Sequence, residues 1–223
     1  MSFGKLHGRI GNPRFSKVMV TAAYSGVSLE TSEGFQMGKT NREPEYLAKF
    51  PLGQIPGLET ADGKILTESS AISQYVAEQK ENNTLLGANP WERALIQKFI
   101  LFSEAQLMPK SLEILYMIWG IADKDTQVAL KAYERLDILW ADLDRQLKDK
   151  HFLVGERLTL ADIDVICILA GCFKFLMYPE IRSKYPELVR YFKSIIFLPH
   201  FQACFTQLKS EEEFAAAVPA FMK

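Results

Sequence analysis

The sequence predicts an α/β layer with a mixed sheet followed by an all-α bundle. Three observations predict it. Nine of the 13 glycines fall in the first 80 residues, between short apolar segments. Within that stretch the strand and helix signals run in the order β-α-β and then β-β-α. Beyond it, apolar residues recur at three- and four-residue spacing over long runs, as in helices that bury one face. Divided this way, the chain has a first domain over 1–80, a linker over 81–88 and a helical domain over 89–223.

A short strand is expected near Lys5 to Ile10. Gly11-Asn12-Pro13 follows; Asn is a favoured N-cap, and Pro at the first helical position gives up no bonded N–H. The helix from Pro13 to Ser25 buries Val18, Val20, Ala22 and Tyr24 and stops at Gly26. Val27 and Leu29 alternate with polar residues, so a second strand pairs parallel to the first through a right-handed crossover. Glu43 to Phe50 reads as a short helix and PLGQIPGLET as an extended stretch. Ala61-Asp62-Gly63-Lys64 is a hairpin turn by its Asp-Gly pair, with Lys64 to Leu66 as the returning strand. Ile72, Tyr75 and Val76 place a helix over Glu68 to Glu78.

In the second part, Asn89-Pro90 repeats the cap-then-proline start. Leu95, Phe99 and Phe102 mark the apolar face of a helix that Pro109 kinks or interrupts, because it lacks an N–H and clashes one turn back. The helix resumes through Leu112, Leu115, Tyr116 and Trp119 and ends at Gly120. Leu136, Leu139, Trp140, Leu143 and Leu147 lie at core spacing in a helix over Asp125 to Leu147. In Leu158-Thr159-Leu160-Ala161-Asp162-Ile163, Thr159 caps, Asp162 reaches back and Leu158 staples to Ile163. A buried helix to about Leu176 follows, another starts near Pro186, and Pro199 starts the last.

Composition excludes several classes. With 26 Lys+Arg against 27 Asp+Glu, the net charge of -1 argues against a nucleic-acid binder. At 48% hydrophobic and 24% charged residues, the 223-residue chain can bury a core. No apolar run reaches the roughly 18 residues of a membrane span. The start MSFGKLHGRIGNPRF lacks an apolar signal core. Cys167, Cys172 and Cys204 form no CxxC, and His7, His151 and His200 form no HExxH, so neither disulfides nor a metal is expected and a cytoplasmic location fits.

Four features in this order and spacing resemble the glutathione transferase superfamily over about Gly4 to Leu208. They are the β-α-β start with a polar loop at the first helix, Gln54-Ile55-Pro56, Glu68-Ser69 within TESSAI, and GERLTLADID. The strings AAYSG, FQMGKTNREPEYLAKFPLGQIP and FLVGERLTLADI are similar to the transferase-like N-terminal domain of the gamma subunit of eukaryotic translation elongation factor one. The resemblance implies a thioredoxin-like, glutathione-binding first domain, an all-helical second domain, and glutathione as cosubstrate without a metal.

The chemistry of such a site starts from the thiol. With a pKa near 8.5 it is only a few per cent ionised at neutral pH; lowering that pKa by about 2 units takes roughly 3 kcal/mol of differential stabilisation. A helix N-terminus beside a hydrogen-bond donor supplies it. Catalytic members mostly place Ser, Tyr or Cys there. This chain offers Asn12, with Arg14 as the second catalytic candidate and Arg9 and Ser16 nearby; the alternative for Asn12 is a helix cap alone. Ile55-Pro56 resembles the family's cis-proline turn, which presents the backbone N–H and C=O of Ile55 to the cysteinyl part of glutathione like an added strand. Glu68 and Ser69, at a helix start, resemble the group that takes the γ-glutamyl end, joined by Gln54. For the glycyl end the local candidates are Lys39, Thr40, Asn41 and Arg42.

Family members dimerise, so a homodimer is implied, with Pro44, Tyr46, Leu47 and Phe50 as a dimer-facing patch or as internal packing. Met108, Tyr116, Met117 and Trp119 either line a pocket for the electrophile or fill the core. Asp162 is structural by its spacing, Cys167 and Cys172 are inert thiols on a buried helix, and Glu211-Glu212-Glu213 is a solvated segment. Two functions follow. The first is an enzyme that conjugates the glutathione thiolate to small electrophiles or reduces peroxides. The second is a non-catalytic transferase-like scaffold that holds elongation-factor subunits. The strings favour the scaffold. The end at Lys223, short of the Lys/Pro-rich linker of a gamma subunit, favours the enzyme, which is the preferred reading at this level.

Overall fold

The computed structural model describes residues 2–222. Its sheet has four strands in the order β2-β1-β3-β4: β1 Gly4–His7, β2 Leu29–Thr31, β3 Gly57–Thr60 and β4 Ile65–Leu66. Strand β1 pairs parallel with β2 and antiparallel with β3, which pairs antiparallel with β4, so the sheet is mixed as expected. Strand β1 ends at His7 rather than running to Ile10. At Gly8 the backbone turns to φ 150°, and a Cβ there would lie 2.5 Å from the Phe15 ring.

Helix α1 spans Pro13–Ser25 with the ends its sequence dictates. Asn12 Oδ1 accepts from the N–H groups of Arg14 (3.0 Å) and Phe15 (3.1 Å), and Gly26 closes the helix at φ 69°. Helix α2 is Pro44–Lys49 and α3 is Ser69–Ala77. Val18 and Ala22 of α1 and Ile72 and Val76 of α3 pack with Leu6 and Leu58 of the sheet in one core. Tyr46 and Phe50 pack against Phe35 and the His7 ring, so these two residues of the apolar patch are internal packing, while Pro44 is exposed and Leu47 half-buried.

The helical half comprises α4 Pro90–Phe102, α5 Met108–Ile118, α6 Thr126–Gln146, α7 Leu160–Phe175, α8 Pro179–Arg182, α9 Pro186–Ile196 and α10 Pro199–Gln202. Pro109 does not break the chain into separate helices. A wider π turn over Ser103–Leu107 leads directly into α5, which accommodates the missing proline N–H. The final helix is a single turn, and the short α8 carried no strong periodic signal. Thirteen of the 16 residues of α7 are buried, so it forms the axis of the bundle. Asp162 is structural: it accepts from Thr159 N–H (2.8 Å), Leu153 N–H (2.8 Å) and Tyr191 Oη (3.0 Å). Val20 of α1 and Ala77 of α3 share the core of the bundle, which ties the halves together. Among the described residues no helix is long and apolar enough to cross a membrane, and no cluster of side chains could hold a metal.

Candidate functional site

A cleft of about 690 Å³ opens between the loop that starts α1 and the helices α5 and α7, floored by the segment after α10. Of the residues considered for activating the thiol and docking the cysteinyl backbone, Arg9, Asn12, Arg14 and Ile55 lie on its wall. Asn12 gives its carbonyl oxygen to the α1 cap, which leaves the Nδ2 amide as a donor at the N-terminus of that helix. The peptide bond Ile55–Pro56 is cis. Neither the N–H nor the C=O of Ile55 has a hydrogen-bond partner among the described residues, so both are available to an extended ligand. Gln54 is exposed, and its C=O accepts from Tyr46 Oη at 2.6 Å. Burial pushes that phenol up to about 12.

Other assignments change on placement. Ser16 is fully buried on α1 and its hydroxyl has no partner, so it is not a donor at the cleft. Arg9 is exposed on the rim. Arg14 lines the cleft, but its Nε and Nη2 donate to Glu104 Oε2 at 3.3 and 3.2 Å. Asn41 is buried and braces its loop: its Nδ2 donates to Gly53 O (2.6 Å) and its Oδ1 accepts from Gly38 N (2.5 Å). At 0% exposure its second amide N–H does not reach the loop surface, where Lys39 and Arg42 are the exposed groups.

Glu68 and Ser69 sit at the start of α3, outside the wall of the large cleft. Ser69 Oγ has no hydrogen-bond partner among the described residues, and the first N–H groups of α3 are uncapped by a side chain. Glu68 holds φ 63°, ψ 108°, a conformation that side chains rarely adopt and that is retained where surroundings demand it. On the opposite wall, Met108, Tyr116 and Trp119 line the cleft, while Met117 belongs to the core. Cys167 and Cys204 also reach the cleft, and burial raises both thiols, Cys204 to about 11.

Behind this wall lies a charged cluster that sequence reasoning missed. Lys17 Nζ is 2.6 Å from Glu104 Oε1, 2.6 Å from Asp164 Oδ2 and 2.9 Å from Ser70 Oγ. Ser103 Oγ donates to the other Asp164 oxygen. Burial alone would lower the Lys17 ammonium; Asp164 and Glu104 outweigh it and hold the pKa above its usual value. Burial likewise works against an ionised Glu104, and Lys17 and Arg14 overcome it, so this carboxyl titrates below its usual range. The available signal was a lysine on the buried side of α1 and an aspartate inside the apolar run of α7.

Comparison with known proteins agrees with this geometry. The glutathione S-transferase N-terminal domain model matches residues 2–78 and the glutathione S-transferase C-terminal domain model matches residues 102–199. Elongation factor 1-gamma from Artemia salina is 36% identical over 88% of this chain and 45% of its own length. The Homo sapiens elongation factor 1-gamma is 35% identical over 96% of the chain and 49% of its own length. The chain thus spans about half the length of the curated relatives it matches. Among solved structures, the GST-like domain of elongation factor 1-gamma from Saccharomyces cerevisiae superposes at TM-score 0.80 with 20% identity, covering 98% of this chain and all of that one. A glutathione transferase from Phanerochaete chrysosporium, solved with oxidized glutathione, superposes at 0.82 with 19% identity over 92% of this chain and 96% of its own. With both family domains matched in order on a mixed sheet and a helical bundle, the chain belongs to the glutathione S-transferase family.

Proposed function

We propose that the chain is a transferase-like assembly module of the elongation factor 1-gamma kind, working in the cytoplasm, whose cleft binds glutathione and turns it over weakly. The observation that carries this reading is the identity of 33–36% to elongation factor 1-gamma along most of the chain. The likeness to the transferase structures runs at 18–22%. The site points the same way. The position that would activate a thiol carries an amide whose oxygen is already engaged in capping α1, and Arg14, two residues on, is paired with Glu104. One weak neutral donor and the α1 N-terminus stabilise a thiolate less than a hydroxyl with free cationic support.

Glutathione fits the groups present. Its cysteinyl backbone would pair with the N–H and C=O of Ile55, its γ-glutamyl carboxylate with Ser69 and the first N–H groups of α3, and its ammonium with Glu68. Asn12 Nδ2 would donate to the sulfur. The enzymatic alternative draws on the same amide. A homodimer of the family type belongs to this proposal, through a face other than the one Tyr46 and Phe50 fill.

Size-exclusion chromatography of the purified chain with the other elongation factor 1 subunits tests it. A stoichiometric complex, together with turnover of a chlorinated nitroarene well below about 1 s⁻¹, is expected. A chain that eludes every subunit yet conjugates at ordinary enzymatic rates is an enzyme instead.

A further inference from the structure

The face of the sheet away from the α1–α3 core carries a line of polar side chains that the large cleft does not use. Leu6 and Leu58 point into that core. Side chains alternate along a strand, so His7 on β1 and Glu59 on β3 point the other way, where Tyr46 and Phe50 of α2 lie against the imidazole. His7 Nε2 is 3.3 Å from Glu59 Oε2, and Ser32 Oγ, one residue past β2, is 3.2 Å from His7 Nδ1. Lys49 Nζ donates to both Glu59 oxygens at 2.7 Å. None of these four polar residues lines the large cleft.

The protons in this line have one arrangement. Lys49 holds the Glu59 carboxyl below its usual range, so at neutral pH it is ionised and only accepts. The proton between it and His7 therefore belongs to Nε2. Burial holds the His7 ring below its usual 6.5, so at neutral pH the ring is uncharged and Nδ1 keeps its lone pair. The Ser32 hydroxyl is then the donor in the 3.2 Å contact. A hydroxyl that donates to an imidazole, whose far nitrogen a carboxylate holds, is an activated nucleophile. The Tyr46 and Phe50 rings, with centroids 5.9 and 5.2 Å from that of His7, fix the imidazole between them.

The chain next to the hydroxyl supplies donors. Ser32 is half-buried and leads into the exposed Glu33-Gly34 turn. The N–H groups of Glu33, Gly34 and Phe35 have no hydrogen-bond partner among the described residues. Gly34 holds φ 64°, and a Cβ there would meet nothing within 4 Å, so a substrate can approach this backbone. Backbone N–H groups beside a nucleophile stabilise the oxyanion of an acyl transfer.

We propose that Ser32 is an acyl-accepting nucleophile acting on small carboxylic esters, with His7 as its base and Glu59 as the positioning residue for His7. Ser32 Oγ bonds to the ester carbonyl carbon while its proton passes to His7 Nδ1. The carbon–oxygen bond to the leaving group breaks, and the alcohol departs with that proton. Water then attacks the acyl carbon, giving its proton to His7; the carboxylic acid leaves and the Ser32 hydroxyl is restored. No step uses glutathione or the cleft.

Treatment of the full chain with a fluorophosphonate, which labels activated serines, and with p-nitrophenyl acetate tests this. Tandem mass spectrometry is expected to find one phosphonyl group per chain, on Ser32, and the ester should give a burst of nitrophenolate stoichiometric with the chain. Ser32→Ala, with its near-ultraviolet circular dichroism unchanged, should lose both. His7→Gln keeps the hydroxyl without the base and should slow labelling by about 100-fold or more. Nitrogen-15 shifts of the His7 ring should place its proton on Nε2, and Glu59→Gln should abolish that preference and slow labelling. Adducts confined to lysines, a burst that persists in Ser32→Ala, labelling unmoved by His7→Gln, or a His7 proton on Nδ1 overturns the proposal. A ring tautomer unmoved by Glu59→Gln removes Glu59 from it.

Discussion

Lys17 Nζ lies 2.6 Å from Asp164 Oδ2, with side chains 2% and 3% exposed, and this contact joins the first helix of the α/β half to the central helix of the bundle. Glu104 and Arg14 extend it to the wall of the cleft. Removing one partner leaves the other charge buried and uncompensated. Lys17→Met is expected to cost about 3–5 kcal/mol, whereas Lys17→Met combined with Asp164→Leu recovers most of it. Urea denaturation of both variants measures this; a double variant as unstable as the single one overturns the account.

Asn12 carries two roles that substitution can separate. Asn12→Ala removes the cap and costs about 1 kcal/mol of stability. Asn12→Asp keeps the cap, because a carboxylate accepts the same N–H groups, but withdraws the amide donor and sets a negative charge beside the proposed thiolate. The aspartate variant should therefore keep its melting temperature and bind glutathione at least tenfold more weakly. Binding as tight as that of the parent chain removes Asn12 from the site.

Glu68 holds φ 63° at the start of α3. Such a conformation costs a non-glycine residue on the order of 1–3 kcal/mol, offset in part by the extra entropy a glycine loses on folding. Glu68→Gly is thus expected to leave stability equal or up to about 1 kcal/mol higher. The same change should weaken glutathione binding, as seen by calorimetry. A clear loss of stability would mean that the Glu68 side chain supports the fold rather than a ligand.

His7 titrates below its usual 6.5 because burial, aided by Lys5 and Lys49, outweighs the hydrogen bond and charge of Glu59. The unfolded chain then binds the proton more readily than the folded one, so stability is full above about pH 6.5 and falls as the pH drops through the histidine range. Unfolding free energies at pH 7.5 and 5.5 should show a smaller acid loss in His7→Gln than in the parent chain. Equal slopes would assign the acid loss to other groups.

The three cysteines are free and buried, with Cys172 pushed up to about 12 and Cys204 to about 11 by burial. At pH 7 a thiol with pKa near 11 is ionised about one part in ten thousand. Ellman's reagent should label almost nothing in the native chain within minutes and three thiols in guanidinium. Rapid native labelling of Cys204 would show that the cleft floor opens.

Much of the local architecture was legible in the sequence. Asn12-Pro13, Gly26, Asn89-Pro90 and Asp125 set helix ends through bonds no more than four residues long, so their spacing alone located them. The same holds for Asp162 and the α7 start. The cis form of Ile55–Pro56 was readable through resemblance. Pro109 was placed correctly, but its effect was not, because a π turn in the preceding residues absorbed the missing N–H.

What the sequence by itself determined is therefore the order and ends of the elements and the family to which they belong, since these depend on backbone preferences and on neighbours within a turn or a strand. Only the tertiary structure decided that Asn41 and Ser16 face inward, that Tyr46 and Phe50 pack inside, and that Lys17 meets Asp164 147 positions away. The helical period names a buried face, but whether a charge on it is paired depends on which side chain another element brings opposite, and no local spacing encodes that meeting.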